Sequence, residues 1–272
     1  MSELGDYYDR LARLLRLTRR VGHGGGVEHL TVHRFLAPPG SAEPARPDRI
    51  HDLLADALML QPGQHVLDAG CGLGGTLRDL ARRQSITGEG RTISASQAAT
   101  ARAALAEANL AGRILIQQAS YDAPYDQAFD AIWMIESLAH SPDPVATLAH
   151  LARQLRPGGR IAIVDDHPEG AEDADLAWFR RGWQVPHPLS PAALATAVTA
   201  AGLRITSQQD LSAWQRLKSP LRAGVLLSLC RLARPVTPAS WRSVLDGYAG
   251  GLALERRYGR DRMRYLLTVA ER

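Results

Sequence analysis

A chain of 272 residues is long for one ordinary domain and short for two, and 45% hydrophobic with 22% charged residues excludes a largely disordered or fibrous protein. No apolar run approaches the ~18–20 residues of a membrane span. The acidic start (Glu3, Asp6, Asp9) is not that of a secretory signal, and Cys71 and Cys230 are too few for a disulfide framework or a cysteine-rich metal site. The net charge of +4 rests almost wholly on arginines scattered among acids, with Lys218 the one lysine, so it is a weak clue to a nucleic-acid partner. The chain reads as cytoplasmic.

In chain order, Leu11, Leu14, Leu15 and Leu17 recur at helical spacing, followed by a glycine break at Gly22–Gly26 and a proline-rich loop. Residues 1–55 read as a helical cap, and a helix over 49–60 ends at the Gln61-Pro62-Gly63 turn. Strands are expected at HVLDAG (65–70), 113–118, 129–136, 160–166 and 262–271. Helices are expected at 75–83, 97–109, 143–155 and 191–202. This alternation predicts an α/β fold with a mostly parallel sheet covered on both faces. Residues 167–190 and 210–258 break the alternation, and Trp178, Phe179, Trp183 and Trp214 mark them as insertions packing over the sheet's edge.

The stretch VLDAGCGLGG (66–75) carries the densest signal. Gly70, Gly72 and Gly75 satisfy the dinucleotide fingerprint, with Glu89 about 20 residues on. Asp68 argues against a pyrophosphate there, because its carboxylate would repel phosphate and suits a cationic ligand.

DAGCGLGGT (68–76), GRTISASQ (90–97), ASYDAP (119–124), IESLAHSPDP (135–144) and LRPGGRIAIVDD (155–166) occur in that order. Together they resemble the class I S-adenosylmethionine-dependent methyltransferases, in the branch that holds sterol, tocopherol and terpenoid enzymes. The resemblance implies a Rossmann-like, doubly wound, seven-stranded sheet in a single domain, with residues 56–166 as the cofactor core. It implies S-adenosylmethionine as cofactor, S-adenosylhomocysteine as product and a small-molecule methyl acceptor. Asp68, Gly70, Gly72 and Gly74 would hold the methionyl end, with Cys71 as a small filler in the loop. Thr92, Ile93 and Gln97 would lie near ribose and adenine, and Ser120 and Tyr121 would flank the adenine. Two stretches depart from the pattern. ITGEGRTIS places Gly88 and Arg91 where apolar residues are expected and Thr92 where an acid often stands, and Ser120 replaces a common Asp.

A sulfonium methyl is already electrophilic, so the protein must orient a nucleophile, exclude water and take up a proton where one is released. Glu136 and His140, four residues apart after a strand, are the candidate acid–base pair, with an ionisation near neutrality. Asp165, Asp166 and His167 could hold a metal, but adjacent strand residues point opposite ways and the run reads as a solvated strand end. No metal is expected. His23, His29 and His33 read as cap residues, and Tyr7 and Tyr8 as lid or core. Residues 221–235 read as a lid helix ahead of a membrane-surface helix. The acceptor is expected to be a small apolar metabolite, with carbon methylation slightly ahead of oxygen or nitrogen. A nucleic-acid methyltransferase and a nicotinamide oxidoreductase are the alternatives. No nucleic acid and no membrane insertion are expected, and homodimerisation stays open.

Overall fold

The computed structural model describes residues 30–272; the leucine helix, Tyr7, Tyr8, His23 and His29 lie outside them. Seven strands form one sheet in the order β3-β2-β1-β4-β5-β7-β6. They are β1 (His65–Ala69), β2 (Thr87–Thr92), β3 (Ile114–Gln118), β4 (Phe129–Ile135), β5 (Leu155–Pro168), β6 (Arg204–Asp210) and β7 (Met263–Glu271). β1 to β5 pair in parallel, whereas β7 runs antiparallel between β5 and β6. The strand order reverses where β1 lies between β2 and β4, and the crevice at the carboxyl ends of those strands is where such sheets take ligands.

The helices are α1 (Arg49–Leu58), α2 (Gly75–Arg83), α3 (Ala95–Glu107), α4 (Pro144–Gln154), α5 (Ala174–Trp183), α6 (Pro191–Ala200), α7 (Pro220–Ala233) and α8 (Ala239–Tyr258). Local sequence sets their starts. Ser94, Asp143, Asp173, Ser190 and Ser219 each accept a backbone amide of their helix's first turn. One apolar layer joins α1, α2 and α3 to one face of the sheet through Leu54, Leu77, Leu105 and Trp133. The other face packs α4 and α6 through Leu148, Leu151, Leu194 and Val198. The polar edge strand β6 (RITSQQD) stays largely exposed, as an unpaired edge requires.

The sheet corrects two local expectations. The 160–166 strand begins at Leu155, because Arg156–Gly159 bulges between the Phe129↔Leu155 and Ala131↔Arg160 pairs. The glycine-broken TGEGRT is a full strand. A Cβ on Gly88 would sit 2.3 Å from the Val66 carbonyl, so glycine is what lets β2 approach β1.

Residues 30–48 are stitched into the body rather than laid over it. Leu36 is fully buried in the main core and pairs with Arg46, and the Ala37 amide donates to the Trp214 carbonyl. The late insertions form a helical layer in which α5 crosses α8 at close range. A Cβ on Gly182 would lie 2.2 Å from the Asp246 carbonyl oxygen. Phe179 is buried there with Leu176, Leu254 and Met263, while Trp214 packs on the main core.

Candidate active site

A cavity of about 1000 Å³ opens at the carboxyl ends of β1, β2, β4 and β5, under residues 30–35, α5 and α8. Asp68, Gly70, Cys71, Gly72, Thr92, Ile93, Gln97, Ser120, Tyr121, Glu136 and His140 all line it. Gly74 does not. It stands behind the wall as the left-handed N-cap of α2, where a Cβ would meet Ala101 at 2.9 Å.

Asp68 is buried and enters no ion pair among the described residues. Burial pushes its carboxyl up to about 7, with the Trp133 indole only partly opposing. A buried carboxyl without a cation, at the tip of a strand and beside a glycine turn, fits the ammonium end of S-adenosylmethionine. Gly70, at φ 107°, lets the turn pass Ser137: a Cβ there would lie 2.5 Å from the serine Cβ. Thr92 donates to the Gln97 amide oxygen at 2.8 Å, so the Gln97 NH₂ is turned the other way as a donor.

The loop after β3 is held by a residue that looked out of place in the sequence. Arg91 donates to the carbonyls of Ser120, Ala123 and Pro124 at 3.3, 2.8 and 2.8 Å. Its guanidinium also lies 3.5 Å from the centre of the Tyr125 ring and is paired with Glu89. Arg91 is thus the strut beneath Ser120 and Tyr121. Tyr121 itself donates to the Ser137 carbonyl at 3.2 Å.

Glu136 follows β4 with φ at 49°, a strained conformation for a residue with a side chain. Its Oε1 accepts from the Tyr265 hydroxyl at 2.8 Å and the Arg34 amide at 3.2 Å, while the Arg34 Nε stands 3.8 Å away. Those contacts leave Oε2 for another partner. Burial raises the Glu136 carboxyl despite the opposing pull of Arg34. His140 ends a single 3-10 turn, Leu138–His140, whose Ala139 amide donates to Asp165 at 2.9 Å. The His140 Nδ1 bonds the Gln184 carbonyl at 3.0 Å, which places the proton on Nδ1 and the lone pair on Nε2. Burial lowers its pKa and keeps the ring neutral.

The run Asp165-Asp166-His167 is buried, not a solvated strand end, because the helical layer covers the tip of β5. Burial and the neighbouring Asp166 push Asp165 up to about 7. Asp166 accepts both ends of the Arg34 guanidinium and the Tyr258 hydroxyl, and His167 Nδ1 bonds the Leu189 carbonyl at 2.8 Å. Among the described residues no group of three or more His, Cys, Asp or Glu side chains is placed to hold a metal ion. His33 lines the cavity wall against His51, and burial lowers it to about 4.

The family described as "Methyltransferase domain" matches residues 41–208. The chain belongs to that family. It is 36% identical to the methyltransferase GfsG of Streptomyces halstedii over 63% of this chain and 60% of that one. It is 34% identical to the 27-O-demethylrifamycin SV methyltransferase of Amycolatopsis mediterranei over 62% of this chain and 64% of that one. The match therefore spans about three fifths of these curated relatives. Among solved structures, the [4+2]-cyclase SpnF superposes with a TM-score of 0.77 at 25% identity, covering 99% of this chain and 95% of that one.

In this methyltransferase-family chain, the residues that sequence reasoning missed are those brought in from a distance. Arg34 comes from the N-terminal side, Tyr258 ends α8 and Tyr265 sits near the start of β7. No local motif marks any of them. The one available signal was the acidic pair closing an apolar strand at 165–166.

Proposed function

We propose that the chain is an S-adenosylmethionine-dependent O-methyltransferase acting on a hydroxyl of a bulky, largely apolar natural product. The observation that carries the reading is the buried, cation-less carboxyl of Asp68 in the same cavity as the carboxyl of Glu136 and the neutral imidazole of His140. The cavity is at the upper end of small-molecule sites, about 300–1,000 Å³, and so has room for a cofactor and an acceptor together. Phe179, Trp183, Val185, Leu252 and Leu254 give the acceptor side an apolar wall.

Bound at Asp68, the cofactor supplies an electrophilic methyl group on a sulfonium. The chain's own task is then orientation and proton removal. His140, neutral and with its lone pair on Nε2, takes the hydroxyl proton. Glu136, fixed through Oε1, offers Oε2 to orient the acceptor. The sequence reading leaned slightly to carbon; oxygen is favoured here because the cavity holds a base for a hydroxyl proton in His140, and the relative 27-O-demethylrifamycin SV methyltransferase is named for an oxygen acceptor. The likeness to a [4+2]-cyclase keeps a second reading, cyclisation in the same cavity without methyl transfer.

Calorimetry with S-adenosylmethionine and S-adenosylhomocysteine tests the cofactor, with micromolar binding expected. Incubation with 27-O-demethylrifamycin SV, the acceptor named in one relative, and with other hydroxylated apolar natural products tests the reaction, and a product one methyl heavier on oxygen is expected. A product of unchanged mass and new rings would support cyclisation instead, and absence of cofactor binding would remove the methyltransferase reading.

A further inference from the structure

We propose that the outer face of α7 and the start of α8 form a docking surface for an anionic lipid membrane. On α7, Leu221, Val225, Leu229 and Leu232 are 80%, 54%, 56% and 76% exposed, at spacings of four, four and three residues that align them in one stripe. The stripe continues at Val236 and Trp241, 84% and 55% exposed. The opposite face of α7, with Ala223, Leu227 and Cys230, is buried against Ala249, Leu252 and Ala253 of α8. The helix is therefore held by its inner side, and its outer apolar side has no role in the core. Exposed apolar residues at helical spacing, with a tryptophan at one end, are the pattern of a helix lying in a membrane interface.

The charge around the stripe selects the partner. From Leu211 to Leu245 there are six basic residues and no acidic one. Lys218, Arg231 and Arg234 pair with Glu255, Asp175 and Asp246, but Arg216, Arg222 and Arg242 are exposed and enter no ion pair among the described residues. A second copy docking through the same patch would set these cations against themselves, since a two-fold interface repeats one surface. A surface of anionic headgroups neutralises them. No helix of the described residues is long and apolar enough to cross a membrane, so the contact would be peripheral. Leu217 and Tyr248 are exposed and also line the cavity, so the mouth of the site opens beside the patch.

Co-sedimentation of the full chain with phosphatidylcholine vesicles and with mixed phosphatidylcholine–phosphatidylglycerol vesicles tests this. Binding to the mixed vesicles alone, weakening as salt is raised, is expected. The double variant Leu221→Glu/Leu232→Glu should weaken it at least roughly tenfold. Arg222→Ser should weaken it about fivefold. Circular dichroism and S-adenosylhomocysteine affinity of the double variant should match the parent chain, because neither leucine touches the cavity. The proposal fails if the mixed vesicles do not bind the chain, or bind both forms equally, which an acidic protein partner would predict. It also fails if sedimentation velocity finds a dimer that the leucine substitutions dissolve.

Discussion

Arg34 and Asp166 form a two-pronged ion pair inside the cavity wall, with Nη1 to Oδ1 at 2.7 Å and Nη2 on Oδ2. The guanidinium also meets Gln215 at 3.1 Å and lies over the rings of Tyr265, Trp183 and Tyr258, at 4.8, 5.4 and 5.7 Å from their centres. One side chain thus joins the 30–35 segment, the tip of β5, α8 and Glu136.

Breaking that pair leaves Asp166 buried with only the Tyr258 hydroxyl. Arg34→Met is expected to lower stability by about 3–5 kcal/mol, as removal of one partner of a buried pair does. Arg34→Lys should recover only part, since an ammonium cannot present two parallel donors. Urea denaturation of the three proteins checks both.

Residues 30–48 are not a removable cap. A truncation ending at residue 48 would take Leu36 from the core, and Leu36→Ala alone is expected to cost about 2–5 kcal/mol. A truncated chain with a parent-like unfolding midpoint would contradict this, as would a mild Leu36→Ala variant.

Asp68 ties cofactor affinity to pH. Burial pushes its carboxyl up to about 7 in the folded chain from an ordinary 3.8, so folding takes up a proton between those values. The stability it contributes is present below 3.8 and is lost as pH rises through about 7. A cofactor cation reverses the preference. Affinity should therefore climb by up to about tenfold per unit as pH rises toward 7, with proton release on binding. Asp68→Asn should bind roughly 10–100-fold more weakly and lose this part of the slope, as calorimetry in two buffers would show.

Glu136→Gln and His140→Asn should each cut turnover roughly 10²–10⁴-fold. The ionisation assigned to His140 should fall below 6.5 rather than near neutrality, because burial lowers it, so activity should rise through that acidic limb and be level above it. Turnover in both variants above about a third of the parent's would remove the pair from the mechanism.

Arg91 braces the Ser120–Pro124 loop of the cavity wall. Arg91→Met should keep the strand but release the Ser120–Pro124 loop, raising the dissociation constant for S-adenosylhomocysteine about tenfold. An unchanged constant would show that the loop holds itself.

The strand–glycine–helix unit, the alternation of elements and the cavity wall around the glycine turn were legible in the sequence, because each rests on contacts between near neighbours. Asp68 precedes its glycine turn by two residues, and Ser94 caps the helix that carries Gln97 three residues on. The second strand was harder to read. Gly88 is explained only by the carbonyl of β1 that it approaches, and Arg91 only by the loop it supports.

The cavity wall around Glu136 was decided by tertiary structure. Arg34, Glu136, Asp166, Tyr258 and Tyr265 are separated by up to 231 positions and share one hydrogen-bonded cluster. Periodicity tells which face of a strand or helix is apolar. Whether a strand end is solvated or buried depends on what folds over it, and Arg34 and Tyr258 of α8 close over the end of β5. That covering turns Asp165 and Asp166 from surface acids into buried ones, because a carboxylate taken out of water must find a cation, a donor or a proton.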